Sequence, residues 1–225
     1  MKKFVALVMA LAMVTAMFAV SASAEAGTVK IGMSGPLTGG AAVYGTCVAR
    51  SAQIAVDEVN ALGGLQFELD CQDDEHDAEK AVSVYNKLKD WGMQMFCGTT
   101  TTKPCLAVGP LTNEDRIFMV TPSASAVDVA YTGDNVFQVC FADPMQGSVS
   151  AEVIAEKQLG TKIGIIYDSS DVYSTGILET FTEAAEEQGL NIVCTEAFTS
   201  DTKADLSTQV TKCKEAGADL VFLPI

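Results

Sequence analysis

Residues 29–45 read VKIGMSGPLTGGAAVYG, and the class of fold follows from this stretch. An apolar run at Val29–Met33 leads into a loop rich in Gly, Ser and Thr, and apolar residues spaced three and four apart come next. The short apolar run predicts a buried strand, and the later spacing predicts a helix near Gly45–Asn60 that ends at Gly63-Gly64. Strand, loop and helix in this order form the first half of a βαβ unit.

The same order of strand and helix repeats along the chain. Further strands are predicted at Phe67–Cys71, Met93–Cys97, Ile117–Val120, Asn135–Phe141, Lys162–Tyr167, Asn191–Ala197 and Asp219–Leu223. Helices are predicted between them, at Ala78–Trp91, Thr102 to just before Asp115, Met145–Gln158, Tyr173–Gln188 and Lys203–Glu215. The residues predicted to face inward are Val48, Ala52, Ala55, Val56 and Val59 on the first helix, Val82, Tyr85 and Leu88 on Ala78–Trp91, and Ile177, Leu178, Phe181, Ala184 and Ala185 on Tyr173–Gln188. Strands that alternate with long helices predict an α/β fold whose parallel sheets are covered by helices.

The repeat restarts after Ala142-Asp143-Pro144, which indicates two lobes joined by a hinge. We predict that residues 25–141 form ligand-binding lobe 1 and that residues 142–225 form ligand-binding lobe 2. The sequence stops at Pro224-Ile225, directly after an apolar strand with no helix to cover it. The second lobe is therefore predicted to be truncated.

The first 24 residues predict export. Lys2 and Lys3 precede an uncharged apolar run, Phe4–Val20, and the small residues Ser21–Ala24 follow it. This pattern is typical of a secretory signal peptide, here cleaved after Ala24, and it predicts a periplasmic or secreted protein. The alternative is a transmembrane anchor, because the run approaches the length that a membrane helix needs.

The acidic net charge of the chain argues against nucleic acid and anionic lipid as binding partners. The chain has 14 basic and 29 acidic residues, a formal net charge of −15. Such a chain repels nucleic acid and anionic lipid, and it favours a soluble monomer.

The cysteine count is odd, so at least one of the seven is unpaired. Most lie in or beside predicted strands and helices, where free cysteines behave as small buried hydrophobes. A disulfide framework remains the alternative, and the sequence does not give its connectivity.

Three loops after predicted strands are rich in hydroxyl groups or glycine: Ser34–Gly45, Gly98–Pro104 and Thr121–Ala126. Ligands of open parallel sheets bind beyond the carboxyl ends of the strands, where these loops lie. Helix N-termini offer unpaired N–H groups and partial positive charge there, so the loops predict a site for a carboxylate. Ordinary helix caps and turns are the alternative for any single loop. Dinucleotide binding is not expected, because neither G-x-G-x-x-G nor G-K-[ST] occurs.

Several motifs together resemble the leucine/isoleucine/valine-binding protein family, the type I periplasmic solute-binding proteins of ABC importers. They are Ile31–Gly39, Asp57–Gly64, Asp73-Asp74, Thr121–Ser125 and Asp143–Gly147. The resemblance covers nearly all of the chain after the signal peptide. It implies two Rossmann-like lobes joined by crossing strands, which close on an amino acid, and a membrane permease as partner.

The resemblance also implies roles for individual residues. Thr102, or its neighbour Thr101, would place a hydroxyl on the ligand carboxylate. Ser123 would offer backbone atoms, and Ser125 its hydroxyl and N–H. Tyr44 would cover the ligand from lobe 1, and Tyr173 would close over it from lobe 2.

Two departures from the family pattern stand out. Lys103 occupies a position where the family usually has a small residue, so it would either strengthen carboxylate binding or narrow the cleft. The acidic residue that usually binds the ligand ammonium would lie beyond Ile225.

An enzyme and a sensor are the rival classes. The only histidine, His76, lies in the acidic stretch Asp73–Asp77, so Ser–His or Cys–His chemistry would depend on this one imidazole. We interpret the stretch as a solvated acidic loop in which Asp77 caps the following helix, and not as a metal site. No catalytic residue, metal or cofactor is expected. A receptor or regulator with the same fold is the alternative function.

Overall fold

The computed structural model describes residues 27–225, so the predicted signal peptide lies outside the described residues. Its strands are β1 (Thr28–Gly35), β2 (Gln66–Asp73), β3 (Met95–Cys97), β4 (Phe118–Thr121), β5 (Val136–Gln138), β6 (Lys162–Asp168), β7 (Asn191–Phe198) and β8 (Leu220–Phe222). Its helices are α1 (Ala42–Ala61), α2 (Ala78–Trp91), α3 (Thr102–Asp115), α4 (Asp143–Glu156), α5 (Val172–Glu187) and α6 (Ser207–Glu215). A short 3-10 helix spans Val127–Tyr131.

The strands form two parallel sheets, which confirms the predicted α/β class. The first sheet has the order β2-β1-β3-β4-β5, and the second has the order β7-β6-β8. In the first sheet β1 pairs with β3, and β3 pairs with β4. The carboxyl ends of β1, β3 and β4 therefore lie side by side at one edge of the sheet.

The core of the first sheet lies between its strands and helices α2 and α3. Phe96 of β3 and Met119 of β4 are buried there, and the ring of Tyr85 packs edge-on against Phe96 with centroids 5.5 Å apart. The predicted inward face of α2 is confirmed, since Tyr85 and Leu88 have no exposed surface and Val82 packs against the same core.

Helix α1 buries less of its apolar face than its sequence predicts. Val56 is buried, and Val48 and Ala52 are half-buried at spacings of four residues. Ala55 and Val59 were predicted to face inward as well, but both are exposed. The buried face of α1 is thus one row of residues wide, because α1 contacts only β1 and β2, the two strands at one side of the sheet.

The core of the second sheet is divided between the two faces of β6. Ile163 and Ile165 pack with Phe181 of α5 on one side, while Ile166 packs with Cys213 of α6 on the other. The predicted inward residues of α5 are confirmed by the burial of Ile177, Phe181, Ala184 and Ala185.

Four predicted elements are shorter than expected: β3 begins at Met95, β8 spans only Leu220–Phe222, and α6 and β5 are also shortened. Helix α6 begins at Ser207 and not at Lys203, because turns precede it: the Ser207 N–H donates to Oδ1 of Asp205 at 2.9 Å. Strand β5 ends at Gln138, although Val139 still donates its N–H to the carbonyl of Thr121 at 3.2 Å. Within residues 27–225, no helix combines the length and the apolar character that a membrane crossing requires.

Candidate functional site

The loops after β1 and β3 meet at the edge where the strands end. Gly35, the last residue of β1, lies directly beneath Thr100, so that a Cβ added at Gly35 would clash with the Thr100 hydroxyl. A second close fit lies in the first turn of α1, where a Cβ at Gly45 would clash with the backbone of Pro36 in the first loop. Glycine at these two positions lets the first loop fold back against the start of α1 and against the loop after β3.

Hydrogen bonds join the loops after β3 and β4. The Thr121 hydroxyl donates to the carbonyl of Thr99 at 2.7 Å and accepts from the N–H of Ala124 at 3.0 Å. The Thr102 hydroxyl accepts from the N–H of Ala126 at 3.4 Å. The three loops that the sequence singles out are therefore neighbours, as the strand order requires.

Two buried hydroxyls at this edge have no hydrogen-bond partner among the described residues. They are the Oγ1 atoms of Thr100 and Thr101. Thr101 is the N-cap of α3, yet its side chain makes no capping hydrogen bond. Buried polar atoms are nearly always paired in folded proteins, so these two hydroxyls are available to a further partner such as a water molecule or a ligand. The Thr102 oxygen accepts from Ala126 but keeps its O–H proton, whereas the Thr101 hydroxyl has no partner among the described residues, so both residues predicted for the carboxylate can still donate to it.

The serines after β4 differ in their surroundings. Ser125 is buried, and its carbonyl accepts from the N–H of Asp143 at 2.9 Å, which ties the third loop to the start of α4. Ser123 is half-buried. Ser125 therefore lies where the chain passes from the first sheet to the helices of the second.

The two predicted tyrosines occupy the first turns of different helices. Tyr44 of α1 is 58% exposed, whereas Tyr173 of α5 is half-buried. The Tyr173 hydroxyl donates to Oε1 of Gln146 at 3.2 Å, and Nε2 of Gln146 donates to Oδ1 of Asp143 at 3.2 Å. Lys103 is exposed on α3.

Asp143 is a candidate residue that the sequence reasoning missed. Its side chain is 2% exposed, and its Oδ2 has no hydrogen-bond partner in the described part of the chain. Burial raises the pKa of the Asp143 carboxyl, and hydrogen bonds from Ser125 and Gln146 oppose that rise. The signal available in the sequence was the family motif at Asp143–Gly147, which shows the residue but not its burial.

The interpretation of Asp73–Asp77 as a solvated loop is wrong for Asp74, which is fully buried. The reason is that Asp73 and Asp74 accept hydrogen bonds from the loop after β1. Oδ1 of Asp73 accepts from the N–H of Leu37 at 2.8 Å, and Oδ2 of Asp74 accepts from the hydroxyl of Ser34 at 2.7 Å. The capping role of Asp77 is confirmed, because its side chain accepts from the N–H of Lys80.

His76 lies opposite the second half of the chain. Its Nε2 is 3.9 Å from Oδ2 of Asp171, the N-cap of α5, and its Nδ1 has no partner among the described residues. Residues 27–225 contain no cluster of three or more histidine, cysteine or acidic side chains arranged to hold a metal ion.

A separate groove of about 380 Å³ lies away from these loops, between α4 and β8. Its lining is apolar apart from Ser150 and includes Val149, Val153 and Phe222. Specific small-molecule sites combine an apolar lining with several convergent polar groups. The edge formed by Thr101 and its neighbours fits that description, and this groove does not.

The match to known proteins agrees with this geometry. A sequence model of periplasmic binding proteins matches residues 28–224. The chain belongs to the periplasmic binding protein family. Among the curated relatives of this periplasmic binding protein is Leu/Ile/Val-binding protein homolog 3 of Brucella melitensis, 33% identical over 89% of this chain and 55% of the relative. Another is the leucine-, isoleucine-, valine-, threonine- and alanine-binding protein of Pseudomonas aeruginosa, 31% identical over 94% of this chain and 57% of the relative.

Solved structures show the same fold as this periplasmic binding protein. The branched-chain amino acid transporter substrate-binding protein LivJ of Streptococcus pneumoniae, in complex with isoleucine, matches with a TM-score of 0.80 and 28% identity. That match covers 88% of this chain and 57% of LivJ. The leucine-binding protein LivK of Thermotoga maritima matches with a TM-score of 0.80 and 26% identity, over 87% of this chain and 55% of LivK. The chain spans about half the length of these relatives.

Proposed function

We propose that this protein binds an amino acid, branched-chain or similar, in a cleft between two lobes and presents it to the membrane permease of an ABC importer. One lobe comprises residues 25–141, and residues 142–225 belong to the other. The observation that carries the proposal is the pair of buried, unpartnered hydroxyls of Thr100 and Thr101 at the N-terminus of α3.

The ligand carboxylate binds at this N-terminus. Thr101 donates its hydroxyl to one carboxylate oxygen, and the positive end of the α3 dipole stabilises the charge. Ser125, in the loop after β4, offers its N–H, and its hydroxyl turns from Asp143 to the ligand carboxylate when the ligand binds. This loop adjoins the loop of Thr101 through the Thr121–Thr99 hydrogen bond. Ser123 contributes backbone atoms. Thr102 also supports the site through its hydroxyl oxygen, which accepts from the N–H of Ala126.

The two tyrosines cover the ligand from opposite sides. Tyr44 projects from the first turn of α1 and is largely exposed, so it is available to pack on the ligand. Tyr173 projects from the first turn of α5, and its hydrogen bond to Gln146 orients the ring. Aromatic side chains in these positions supply apolar contact while the carboxylate stays on hydroxyl and N–H donors.

The amino-acid class is supported by the relatives, whose names specify binding of leucine, isoleucine and valine. The LivJ structure holds isoleucine. Each of these ligands carries the carboxylate group for which the Thr101 edge is suited.

Isothermal titration of the protein, expressed from its complete gene, tests the proposal with L-leucine, L-isoleucine and L-valine. L-leucine amide serves as the matched ligand, because it lacks only the charged carboxylate. A hydrogen bond to a charged group contributes roughly 1.5–3 kcal/mol, so the amide is expected to bind at least about tenfold more weakly. Equal affinities for leucine and its amide would contradict the carboxylate site.

Single substitutions test which residues bind the ligand carboxylate. Thr101→Val and Ser125→Ala each remove one donor and are expected to weaken binding of the best amino acid about tenfold or more. Thr182→Val is the control, because Thr182 is exposed on α5 and donates only to the carbonyl of Leu178. Mass spectrometry of the recovered ligand completes the test: an unaltered molecule supports binding for uptake, and a chemically changed one contradicts it.

A further inference from the structure

An irregularity in the second sheet places Cys194 in a particular position. Ile163 of β6 pairs with Ile192 of β7, but the next residue, Gly164, pairs with Cys194. Val193 is therefore the extra residue of a bulge in β7.

The bulge turns Cys194 toward α6. Successive residues of β6 point to opposite faces, and residues paired across a sheet point to the same face. Ile192 accordingly packs with Ile163 in the core against α5, while Cys194 packs with Cys213 of α6 on the other face. In a regular strand Ile192 and Cys194 would have pointed to the same face.

The two thiols meet above a glycine. Sγ of Cys213 lies 3.1 Å from Sγ of Cys194. A Cβ added at Gly164 would lie 3.0 Å from the Cys213 sulfur, so the lack of a side chain at Gly164 leaves the space that the sulfur occupies. All seven cysteines are free in the described part of the chain.

We propose that Cys194 and Cys213 are an oxidation site that closes a disulfide between the edge strand β7 and helix α6. The sulfurs must approach by about 1 Å to reach the S–S bond length of about 2.05 Å. The periplasm is a compartment in which disulfides form and persist, and the chain belongs to a periplasmic binding protein family.

The reaction is thiol–disulfide exchange with an external disulfide, either a small-molecule disulfide or an oxidised dithiol oxidoreductase. The thiolate of Cys194, the less buried of the two, attacks one sulfur of the oxidant, whose other sulfur leaves as a thiolate. The Cys213 thiol then loses its proton and attacks the Cys194 sulfur, which releases the second oxidant sulfur. Both cysteines are oxidised by two electrons in total, and the oxidant is reduced to two thiols.

The second step requires the Cys213 thiol to ionise. Burial raises the pKa of this thiol. Little Cys213 thiolate is present at pH 7, so closure of the disulfide is expected to accelerate as the pH rises.

Oxidation with glutathione disulfide, followed by peptide mass spectrometry without reductant, tests the site. Protein expressed from the complete gene is expected to yield a cross-linked peptide pair that contains Cys194 and Cys213, formed faster at pH 9 than at pH 7. The Tm is expected to rise by at least about 4 °C on oxidation, because the cross-link restricts the unfolded chain.

Cys194→Ser is the decisive variant, since residue 194 is only partly buried and serine there leaves the fold intact. It must abolish both the cross-link and the Tm shift, while Cys47→Ser, at an exposed position, must preserve both. Glutathione adducts at Cys194 without the cross-link overturn the proposal, and so does an equal Tm shift in Cys194→Ser. The ligand plays no part in this test, so its outcome is independent of the proposed amino-acid binding.

Discussion

The hydroxyl of Ser34 donates a 2.7 Å hydrogen bond to Oδ2 of Asp74, and both side chains are completely buried. The bond connects the end of β1 to the end of β2, directly below the first loop of the candidate site. Burial raises the pKa of the Asp74 carboxyl, and the bonds from Ser34 and from the N–H of His76 oppose that rise. The carboxylate therefore depends on these donors.

Ser34→Ala removes the donor and leaves a buried carboxylate oxygen unpaired. The free energy of unfolding is expected to fall by about 2–3 kcal/mol at pH 7, measured by urea denaturation. The loss should be smaller in acid, where Asp74 is protonated and its charge no longer needs a donor. Ser51→Ala is the control, because the exposed Ser51 bonds only to a carbonyl of its own helix. If Ser34→Ala were as stable as this control, the buried Asp74 carboxylate would not depend on the hydrogen bond from Ser34.

The pKa of Asp73, the neighbour of Asp74, is shifted in the opposite direction, so its contribution to stability should depend on pH in the opposite way. Burial acts to raise its pKa, but hydrogen bonds from Thr38, Glu75 and Leu37 outweigh burial and hold the pKa below its ordinary value of 3.8. A lowered pKa in the folded state stabilises the protein above pH 3.8, and that contribution disappears as the pH falls through the folded-state pKa.

Asp73→Asn is therefore expected to lose about 1 kcal/mol of stability at pH 7 and to converge with the wild type near pH 2. Urea denaturation across this pH range measures the difference. Asp90→Asn, at an exposed position on α2, is the control for the loss of one surface charge. A constant difference between Asp73→Asn and wild type would rule out the titration of Asp73 as its source.

Gly45, in the first turn of α1, and Gly40, in the loop before this helix, together test the close fit between the helix and the loop. A Cβ at Gly45 would clash with backbone atoms of Pro36, which cannot move without displacing the loop, whereas a Cβ at Gly40 meets no atom within 4 Å. Gly45→Ala is expected to lower the free energy of unfolding by about 1–3 kcal/mol and to weaken ligand binding, while Gly40→Ala leaves both nearly unchanged. Thermal unfolding and titration calorimetry measure the two effects, and equal behaviour of the variants would refute the close fit.

Replacement of Asp143 by asparagine is expected to stabilise the protein at pH 7. Because burial raises its pKa above 3.8, the folded state holds the Asp143 proton more tightly than the unfolded state does. Stability therefore falls as the pH rises from 3.8 through the folded-state pKa. Asp143→Asn cannot ionise, so it is expected to be more stable than the wild type at pH 7 and to lose this part of the pH dependence. Thermal unfolding at pH 4 and pH 7 gives the comparison, and a less stable variant at pH 7 would show that the carboxylate is favourably held.

The sequence was sufficient for the class of fold and for the neighbourhood of the site. Alternation of strand and helix is a strong local signal, and the strand order then brings together the loops at Gly35, Thr101 and Ser125. The burial of individual residues could not be predicted from the sequence, because it depends on which helices and strands pack together. Val59 was predicted to face inward and is exposed, while Asp74 and Asp143 look like surface residues and are buried.

The difference between Thr101 and Thr102 shows the same limit. Adjacent threonines are equivalent in sequence, and only the position of Ala126 decides which hydroxyl oxygen already accepts a hydrogen bond. The contact between Cys194 and Cys213 likewise depends on a single-residue bulge, which has no signature in the pattern of apolar residues.

The hydroxyls of Thr100 and Thr101, which have no partner among the described residues, should lower the stability of the protein while they serve ligand binding. Each is a buried polar group with no partner among the described residues, which makes the protein less stable than an apolar side chain of the same shape would. Laboratory selection for heat resistance, applied without ligand, should therefore favour valine or alanine at these two positions. The surviving proteins would tolerate higher temperatures and would bind their ligand poorly.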